Sequence, residues 1–165
     1  MPNWCSNSLV VTGKASDVDK WKGRHVKNNE LQFDVAVPIT TFGPWDAYDM
    51  WGTRAVSDEE FAVRVGVGGN IELIVSFETA WQPPQNISRD NPPQLLRGWL
   101  RSCAEQHPEL DFELSFTEQN EGFIGEFVFK RGILEKMDWR SDDRLTADDK
   151  FILGYEDEEE QNETA

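Results

Sequence analysis

The strongest constraint on the fold is the segment at residues 71–84, which has the sequence IELIVSFETAWQPP. Apolar side chains occupy every second position from Ile71 to Phe77, and a period of two is typical of a strand with one buried face. The strand cannot continue through Pro83 and Pro84, because proline lacks the backbone N–H that a sheet requires. The chain therefore contains a sheet with one apolar face, and this strand leads into a turn of the chain.

The same alternation recurs along the chain and predicts further strands. Gly68 and Gly69 separate two such strands, which indicates a hairpin, because glycine tolerates the positive φ of tight hairpin turns. The predicted strands lie at residues 9–12, 31–37, 61–67, 71–77, 112–116 and 123–129.

Two helices are predicted between these strands. The first runs over residues 16–28 with Ser16 as its N-cap. The second follows the double proline at residues 92–93 and runs over residues 95–107 with one apolar face. The resulting order is strand, helix, strand, insertion, hairpin, helix, hairpin. It indicates an α+β fold with two helices on one face of a mainly antiparallel sheet, and the ferredoxin-like sandwich is the nearest common form.

The length predicts one domain, which we place at residues 1–137, followed by an acidic extension at residues 138–165. An insertion at about residues 39–60 lacks a clear period, apart from a short helix predicted near residues 45–51. Flexible linkers are poor in aromatic residues, so we expect this aromatic-rich insertion to fold onto the sheet. We expect the last ten residues to be disordered, because they offer no core-forming side chains. The aromatic residues of the insertion are Phe42, Trp45, Tyr48 and Trp51.

The chain is acidic, with a formal net charge of −15. Eleven acidic and three basic residues lie in residues 138–165, so about half of this charge belongs to the extension. A negative surface repels phosphate backbones, and we therefore expect no direct binding to nucleic acid. The same surface suits a protein partner with a basic surface.

The two cysteines, Cys5 and Cys103, are far apart and form no CxxC motif. This pattern favours two free thiols in a reducing compartment over a disulfide framework. The sequence contains no signal peptide and no apolar run long enough to span a membrane. We therefore expect a cytoplasmic protein without a membrane partner.

Four acidic residues are predicted to share the open face of the sheet and to contact the basic partner. They alternate with apolar residues in the predicted strands, so their side chains point away from the core. An open sheet face that binds RNA carries stacking aromatic residues and bases, whereas this one carries mostly acids. The predicted partner face consists of Asp34, Glu72, Glu113 and Glu126.

A second candidate site is an aromatic pocket formed by the insertion and the end of the strand at residues 71–77. The pocket would hold a ligand or a partner segment through aromatic faces and polar groups. The alternative is a small aromatic core that pins the insertion to the edge of the sheet. The residues of this candidate pocket are Trp45, Trp51, Arg54, Glu78 and Trp81.

No catalytic or metal-binding motif stands out. His25 and His107 each end a predicted helix, where a histidine side chain can cap the last carbonyls, and neither has a companion at metal-ligand spacing. The sequence has no Walker loop, no GxGxxG and no Ser-His-Asp arrangement. We therefore predict no catalytic residue, no metal site and no cofactor, and we favour a non-catalytic function.

Several motifs resemble the YubB-like family of phage and plasmid proteins. These are PNWCSN at residues 2–7, WGT at residues 51–53, FETAWQPP at residues 77–84 and the Phe-rich hairpin that follows. The resemblance covers roughly residues 2–130 and excludes the acidic extension. It implies a ferredoxin-like domain and an origin on a mobile genetic element, and it implies no particular activity.

The sequence thus favours a small acidic protein-binding module of phage or plasmid origin in a bacterial host. Such a module would inhibit or modulate a nucleic-acid-handling host protein through its acidic face. The alternative is a small-ligand-binding protein or enzyme that uses the region from Trp45 to Trp81. The sequence leaves open whether the protein is a monomer or a dimer with paired edge strands.

Overall fold

The structure is a computed structural model that describes residues 3–40, 43, 45–53, 56–88, 90 and 92–155. It is an α+β fold built on a large antiparallel sheet. Single 3-10 turns lie at Val67–Gly69 and Asp142–Arg144. The strands are β1 (Trp4–Gly13), β2 (Val26–Lys27), β3 (Glu30–Leu31), β4 (Val56–Val65), β5 (Ile71–Ala80), β6 (Asp111–Glu118), β7 (Phe123–Lys130) and β8 (Ile133–Ser141). The helices are α1 (Ala15–His25), α2 (Phe33–Ala36), α3 (Asp46–Trp51), α4 (Trp99–Gln106) and α5 (Ala147–Ile152).

Six strands form the main sheet in the order β4-β5-β1-β6-β7-β8, and every neighbouring pair is antiparallel. The register places Leu9 between Val75 and Leu114, and all three side chains are fully buried. The residues of β1 that alternate with the buried ones, such as Ser6 and Ser8, are exposed on the opposite face of the sheet. The predicted alternation is therefore confirmed in the central strands, where one face forms the core.

Helices cover the apolar face of the sheet. α1 contacts β1 and β5, α4 contacts β6 and β7, and α2 contacts both of these helices. The largest fully buried side chains include Trp21 of α1 and Trp99 of α4. We call this side of the sheet the helix side and the opposite side the open face. α5 lies beside the open face, where Asp149 Oδ1 accepts a hydrogen bond from Arg140 Nη2 at 2.9 Å.

The strand predicted at residues 31–37 is wrong. β3 ends at Leu31, and Phe33–Ala36 forms the single turn of α2. Leu31, Phe33, Ala36 and Val37 are buried, and these positions do not keep a period of two. Phe33 stacks on Trp99 with ring centroids 4.5 Å apart, so the segment packs between helices instead of pairing with a strand.

Both predicted helix starts are also wrong. α1 has Lys14 at its N-cap, and its first residue, Ala15, precedes the predicted cap Ser16. α4 begins only at Trp99, because residues 86–88 and 94–97 form a loop held by backbone hydrogen bonds such as Leu96 N to Asn86 O at 3.0 Å. Leu96, an apolar residue within the predicted helix, is therefore exposed in this loop.

The sheet includes residues of the expected insertion and of the expected C-terminal extension. β4 begins at Val56, inside the expected insertion, and β8 pairs with β7 as far as Ser141, past residue 137. Leu153 after α5 is buried, so much of the expected acidic extension belongs to the fold. The short helix predicted near residues 45–51 is confirmed as α3. The last ten residues lie outside the described residues.

Two histidines meet in the core beneath the helices. His25 Nε2 and His107 Nε2 are 2.9 Å apart, and His107 Nδ1 lies 3.3 Å from a carboxylate oxygen of Glu109. A hydrogen bond between the two Nε2 atoms needs one imidazole that donates and one that accepts, so the two rings are not both protonated. Burial, followed by the neighbouring His107 and Arg24, lowers the pKa of His25 from 6.5 to about 4. His25 is therefore neutral at neutral pH, the two rings form a buried core contact, and neither imidazole caps a helix through an exposed side chain.

From the lowered pKa of His25, we expect the free energy of unfolding to fall as the pH decreases from about 6.5 to about 4. The unfolded chain binds a proton on His25 at higher pH than the folded chain, so unfolding becomes easier as the pH falls through this window. This difference between the pKa of His25 in the unfolded and folded chain corresponds to about 3 kcal/mol of unfolding free energy. Denaturant unfolding of the wild type and of His25→Gln across this range measures the effect. The variant should show the smaller pH dependence, and equal pH dependence in both proteins would contradict the prediction.

Candidate functional site

A cleft of about 1660 Å³ lies at the end of the sheet where β5 ends. It lies between α3, the loop after β5 and the chain that follows β8. We call it the aromatic cleft, because five aromatic side chains line it. These are Trp45, Tyr48, Trp81, Phe123 and Trp139.

Trp81 enters the cleft through an unusual backbone conformation. Its φ is +67°, in the left-handed region that bulky residues rarely adopt. The Trp81 N–H donates to the Asn3 carbonyl at 2.7 Å, and the Thr79 hydroxyl donates to the Gln82 carbonyl at 2.7 Å. Such strain persists only where the surrounding structure holds it, and it is frequent at functional sites. The chain leaves β5 at this turn, and Trp81, the first residue after the strand, lines the cleft.

A chain of side-chain hydrogen bonds fixes α3 against this turn. The Tyr48 hydroxyl donates to Gln82 Oε1 at 3.0 Å, and Gln82 Nε2 donates to Asn86 Oδ1 at 2.8 Å. Asn86 Nδ2 in turn donates to the carbonyls of Tyr48 at 3.1 Å and Asp49 at 3.2 Å. Because Trp45 stands at the N-cap of α3, this closed network holds Trp45 and Trp81 around the same cleft.

The other wall of the aromatic cleft comes from the last strands of the sheet. Trp139 of β8 packs against Phe123 and Phe116, with ring centroids 4.8 Å and 4.9 Å away. The sequence prediction did not include Trp139. The register of β7 and β8 places Trp139 opposite Gly125, where an added Cβ would collide with the Asp138 backbone and the Phe116 ring.

Among the described residues, the charged side chains around the aromatic cleft are mostly acidic. Five carboxylates and two guanidinium groups of these residues line it, so their summed charge is negative. These groups lie at an open surface, where their field acts on an approaching ligand and is screened by salt. The acidic residues are Asp49, Asp90, Glu121, Asp142 and Asp143, and the basic residues are Arg97 and Arg144.

The structure brings together part of the predicted aromatic pocket. Trp45 and Trp81 both line the cleft. Trp51 does not, because its indole N–H donates to the Val37 carbonyl at 2.8 Å and its ring packs edge-on against Phe33. Glu78 lies on β5 opposite Ser6 and is not among the lining residues, and Arg54 lies outside the described residues. For Trp51, the alternative of an aromatic core that pins the insertion is the better description.

The predicted acidic face is less negative than the sequence suggested. Glu72 and Glu126 share the open face, but Glu72 forms an ion pair with Arg64 and Glu126 forms one with Lys136. Glu113 is exposed on the same face. Asp34 lies in α2 on the helix side, so its assignment to the sheet face is wrong.

A second cavity of about 610 Å³ lies on the open face below α5. Hydroxyl groups form its floor in a row across the three central strands, since Ser8 pairs with both Ser76 and Ser115. Lys136, Arg140 and Ile152 complete its wall. Its two cationic side chains are already paired with acidic residues of the same chain.

Comparison with protein-family models, with curated proteins and with solved structures finds no match to this chain. Within the described ranges, no group of three or more His, Cys, Asp or Glu side chains is arranged to hold a metal ion. In that same part of the chain, no helix has the length and apolar character needed to cross a membrane.

Gly52 tests how tightly the cleft is supported. Its φ is +91°, and a Cβ added there would lie 2.4 Å from the Gln85 backbone nitrogen. We expect Gly52→Ala to cost about 2 to 4 kcal/mol of unfolding free energy, because both the backbone and the packing are strained. Chemical denaturation measures this cost.

Gly23→Ala is the matched control. Gly23 lies within α1, and an added Cβ would meet no atom within 4 Å. The same substitution should therefore stabilise the protein by about 0.5 to 1 kcal/mol through helix propensity. A Gly52 variant as stable as the wild type would show that the loop is not held as described.

Proposed function

We propose that this protein is a non-catalytic binding module that takes a basic, extended segment of a partner protein into the aromatic cleft. The observation that carries the proposal is the combination of three tryptophans, Trp45, Trp81 and Trp139, with an excess of carboxylates around them. Aromatic faces attract Lys and Arg cations, and tryptophan does so most strongly. The carboxylates strengthen this preference and disfavour anionic ligands.

The size of the cleft supports a peptide segment over a small molecule. Pockets for small molecules usually enclose about 300 to 1000 Å³. The aromatic cleft measures about 1660 Å³ and is lined from four separate parts of the chain, so it resembles a groove for several residues. Exposed aromatic residues with a negative rim are also typical of protein interfaces that select a basic partner.

The aromatic cleft is a better partner site than the open face of the sheet. On the open face, Glu72 and Glu126 are neutralised by cations of the same chain. A basic partner would have to displace Arg64 and Lys136 before it could use these carboxylates. We therefore propose that the basic partner contacts the carboxylates of the cleft. The open face of the sheet is the alternative, and charge variants of the two surfaces distinguish them.

We further propose that the fold is ferredoxin-like and that the protein is a cytoplasmic YubB-like protein from a mobile element. The strand order β4-β5-β1-β6, with α1 after β1 and α4 after β5, supports the fold. Two motifs of the resemblance are also in contact, since the Thr53 hydroxyl donates to the Ala80 carbonyl at 2.9 Å. A nucleic-acid-handling host protein suits the cleft, because such proteins carry basic segments.

Calorimetric titration of the protein with a short synthetic Arg-rich peptide, at low and at high salt, tests the proposed binding function. We expect the double variant Trp45→Ala/Trp81→Ala to weaken binding by about tenfold or more. Trp4→Ala is the matched control, because Trp4 is as exposed as Trp81 (37% and 36%) and does not line the cleft. Binding should also weaken at high salt, since its charges are exposed.

Two charge variants separate the cleft from the open face. Asp49→Asn/Asp142→Asn/Asp143→Asn removes three carboxylates from the cleft, and Glu72→Gln/Glu113→Gln/Glu126→Gln removes three from the sheet. We expect only the first to weaken peptide binding. Loss of binding in the second variant alone would favour the sheet face and contradict the proposal. Tight binding of an uncharged small molecule, with none of the peptide, would favour the ligand-binding alternative.

A further inference from the structure

We propose that β4 pairs with β4 of a second copy of this chain, antiparallel and centred on Ala62, so that one sheet runs through both copies. β4 stands at one end of the sheet and pairs only with β5 among the described strands. Its regular part is residues 60–65, after a shift in register between Ser57 and Glu60. An edge strand offers a row of backbone N–H and C=O groups to another strand.

The side chains of this edge are unusual for one that remains in water. Val63 is 58% exposed and Val65 is 75% exposed, although the sequence pattern predicted both on the buried face. Val63 pairs with Leu73 and so points to the helix side. α1 contacts β1 and β5, and its Lys22 lies over the Phe61 ring of β4 at 6.0 Å, but Val63 and Val65 beyond Phe61 remain exposed. The result is an apolar ledge at the edge of the core. A second copy would cover it.

The pairing geometry selects one register. A two-fold axis perpendicular to the sheet keeps each face on its own side, so odd positions of one β4 meet odd positions of the other. When the pair is centred on Ala62, Arg64 of each copy lies opposite Glu60 of the other copy, so this pair of opposite charges occurs twice. The same register sets Val63 opposite Phe61 of the second copy. Within residues 60–64, charge meets opposite charge on the open face and apolar meets apolar on the helix side. Val65 lies opposite Glu59 of the second copy, at the margin of the pair.

Neighbouring registers lose this agreement. Centred on Val63, the pair would leave Arg64 opposite Ala62 of the second copy. Centred on Phe61, it would set Val63 against Glu59 of the second copy, in the irregular part of the strand. Arg64 already forms an ion pair with Glu72 on its own β5. In the selected register, one guanidinium lies between two carboxylates.

The other edge of the sheet does not offer a comparable surface. β8 carries charged side chains at Glu135, Lys136, Asp138 and Arg140, and its pairing with β7 is interrupted by a bulge near Val128. Charges and bulges are the usual protection of an edge strand against another strand. β4 also has a bulge, but the bulge lies outside residues 60–65, and the two charges within that part, Glu60 and Arg64, are complementary across the proposed pair. A closed dimer through β4 is therefore favoured over an open chain of copies through β4 and β8.

The test is a charge exchange read by light scattering coupled to size exclusion. The full-length wild type should have twice the chain mass of 18.9 kDa. Glu60→Arg and Arg64→Glu each place like charges opposite each other twice across the axis. We expect each variant alone to dissociate, with a rise in the dissociation constant of about tenfold or more. An equimolar mixture of the two variants should again form a dimer, because their charges are complementary.

Glu113→Arg is the matched control, since it makes the same charge change at an exposed glutamate of the open face away from β4. It should remain a dimer. If Arg64→Glu fails to fold by circular dichroism, Val63→Asp replaces it and should be a folded monomer. A monomeric wild type, a dimer that persists in Glu60→Arg, or a mixture that stays monomeric would each overturn the proposal. None of these outcomes depends on peptide binding at the aromatic cleft.

Discussion

The buried amide of Gln85 is the contact on which the site depends. Its side chain is fully buried, its Nε2 donates to the carbonyls of Asn86 and Leu96, and its Oε1 accepts from the Arg101 N–H. Leaving any of these groups without a partner in the core costs about 1 to 3 kcal/mol, so the loop has one acceptable position. Gly52 and Gly98 make that position possible, since a side chain at either would collide with Gln85. One residue thus joins the loop after β5, the end of α3 and the start of α4.

The sequence predicted well those elements whose pattern arises from burial on a single surface. The central strands follow a period of two because one face meets the helices along their whole length. The segment at residues 31–37 shows the same alternation of apolar residues for another reason, since Leu31 at the end of β3, Phe33 in α2 and Val37 after α2 each reach the core from a different local structure. At Val63 and Val65 the pattern gives the correct direction of the side chains. The pattern does not show which strands the helices cover, because that depends on the order of the strands in the sheet.

The aromatic cleft was only partly predictable for a similar reason. Trp45 and Trp81 were associated through their place in an aromatic-rich region, and Tyr48, Gln82 and Asn86 supply the contacts that keep them together. Trp139 comes from β8, a strand that the sequence analysis did not predict, and its position follows from pairing with β7. The net charge of the chain was equally incomplete as a guide. Cross-strand ion pairs neutralise much of the open face, whereas the carboxylates of the chain after β8 remain around the cleft.

The two proposed surfaces have a geometric relation that affects how the protein would engage a partner. The aromatic cleft lies at the end of the sheet where β5 ends and β4 begins, since Trp81 follows β5 and α3 precedes β4. Antiparallel pairing through β4 reverses the direction of the second copy, so the two clefts would lie at opposite ends of the paired strands. A single short segment cannot fill both clefts at once. A partner with two basic segments, or a partner that is itself a dimer, would gain affinity through the second contact, because that contact becomes intramolecular.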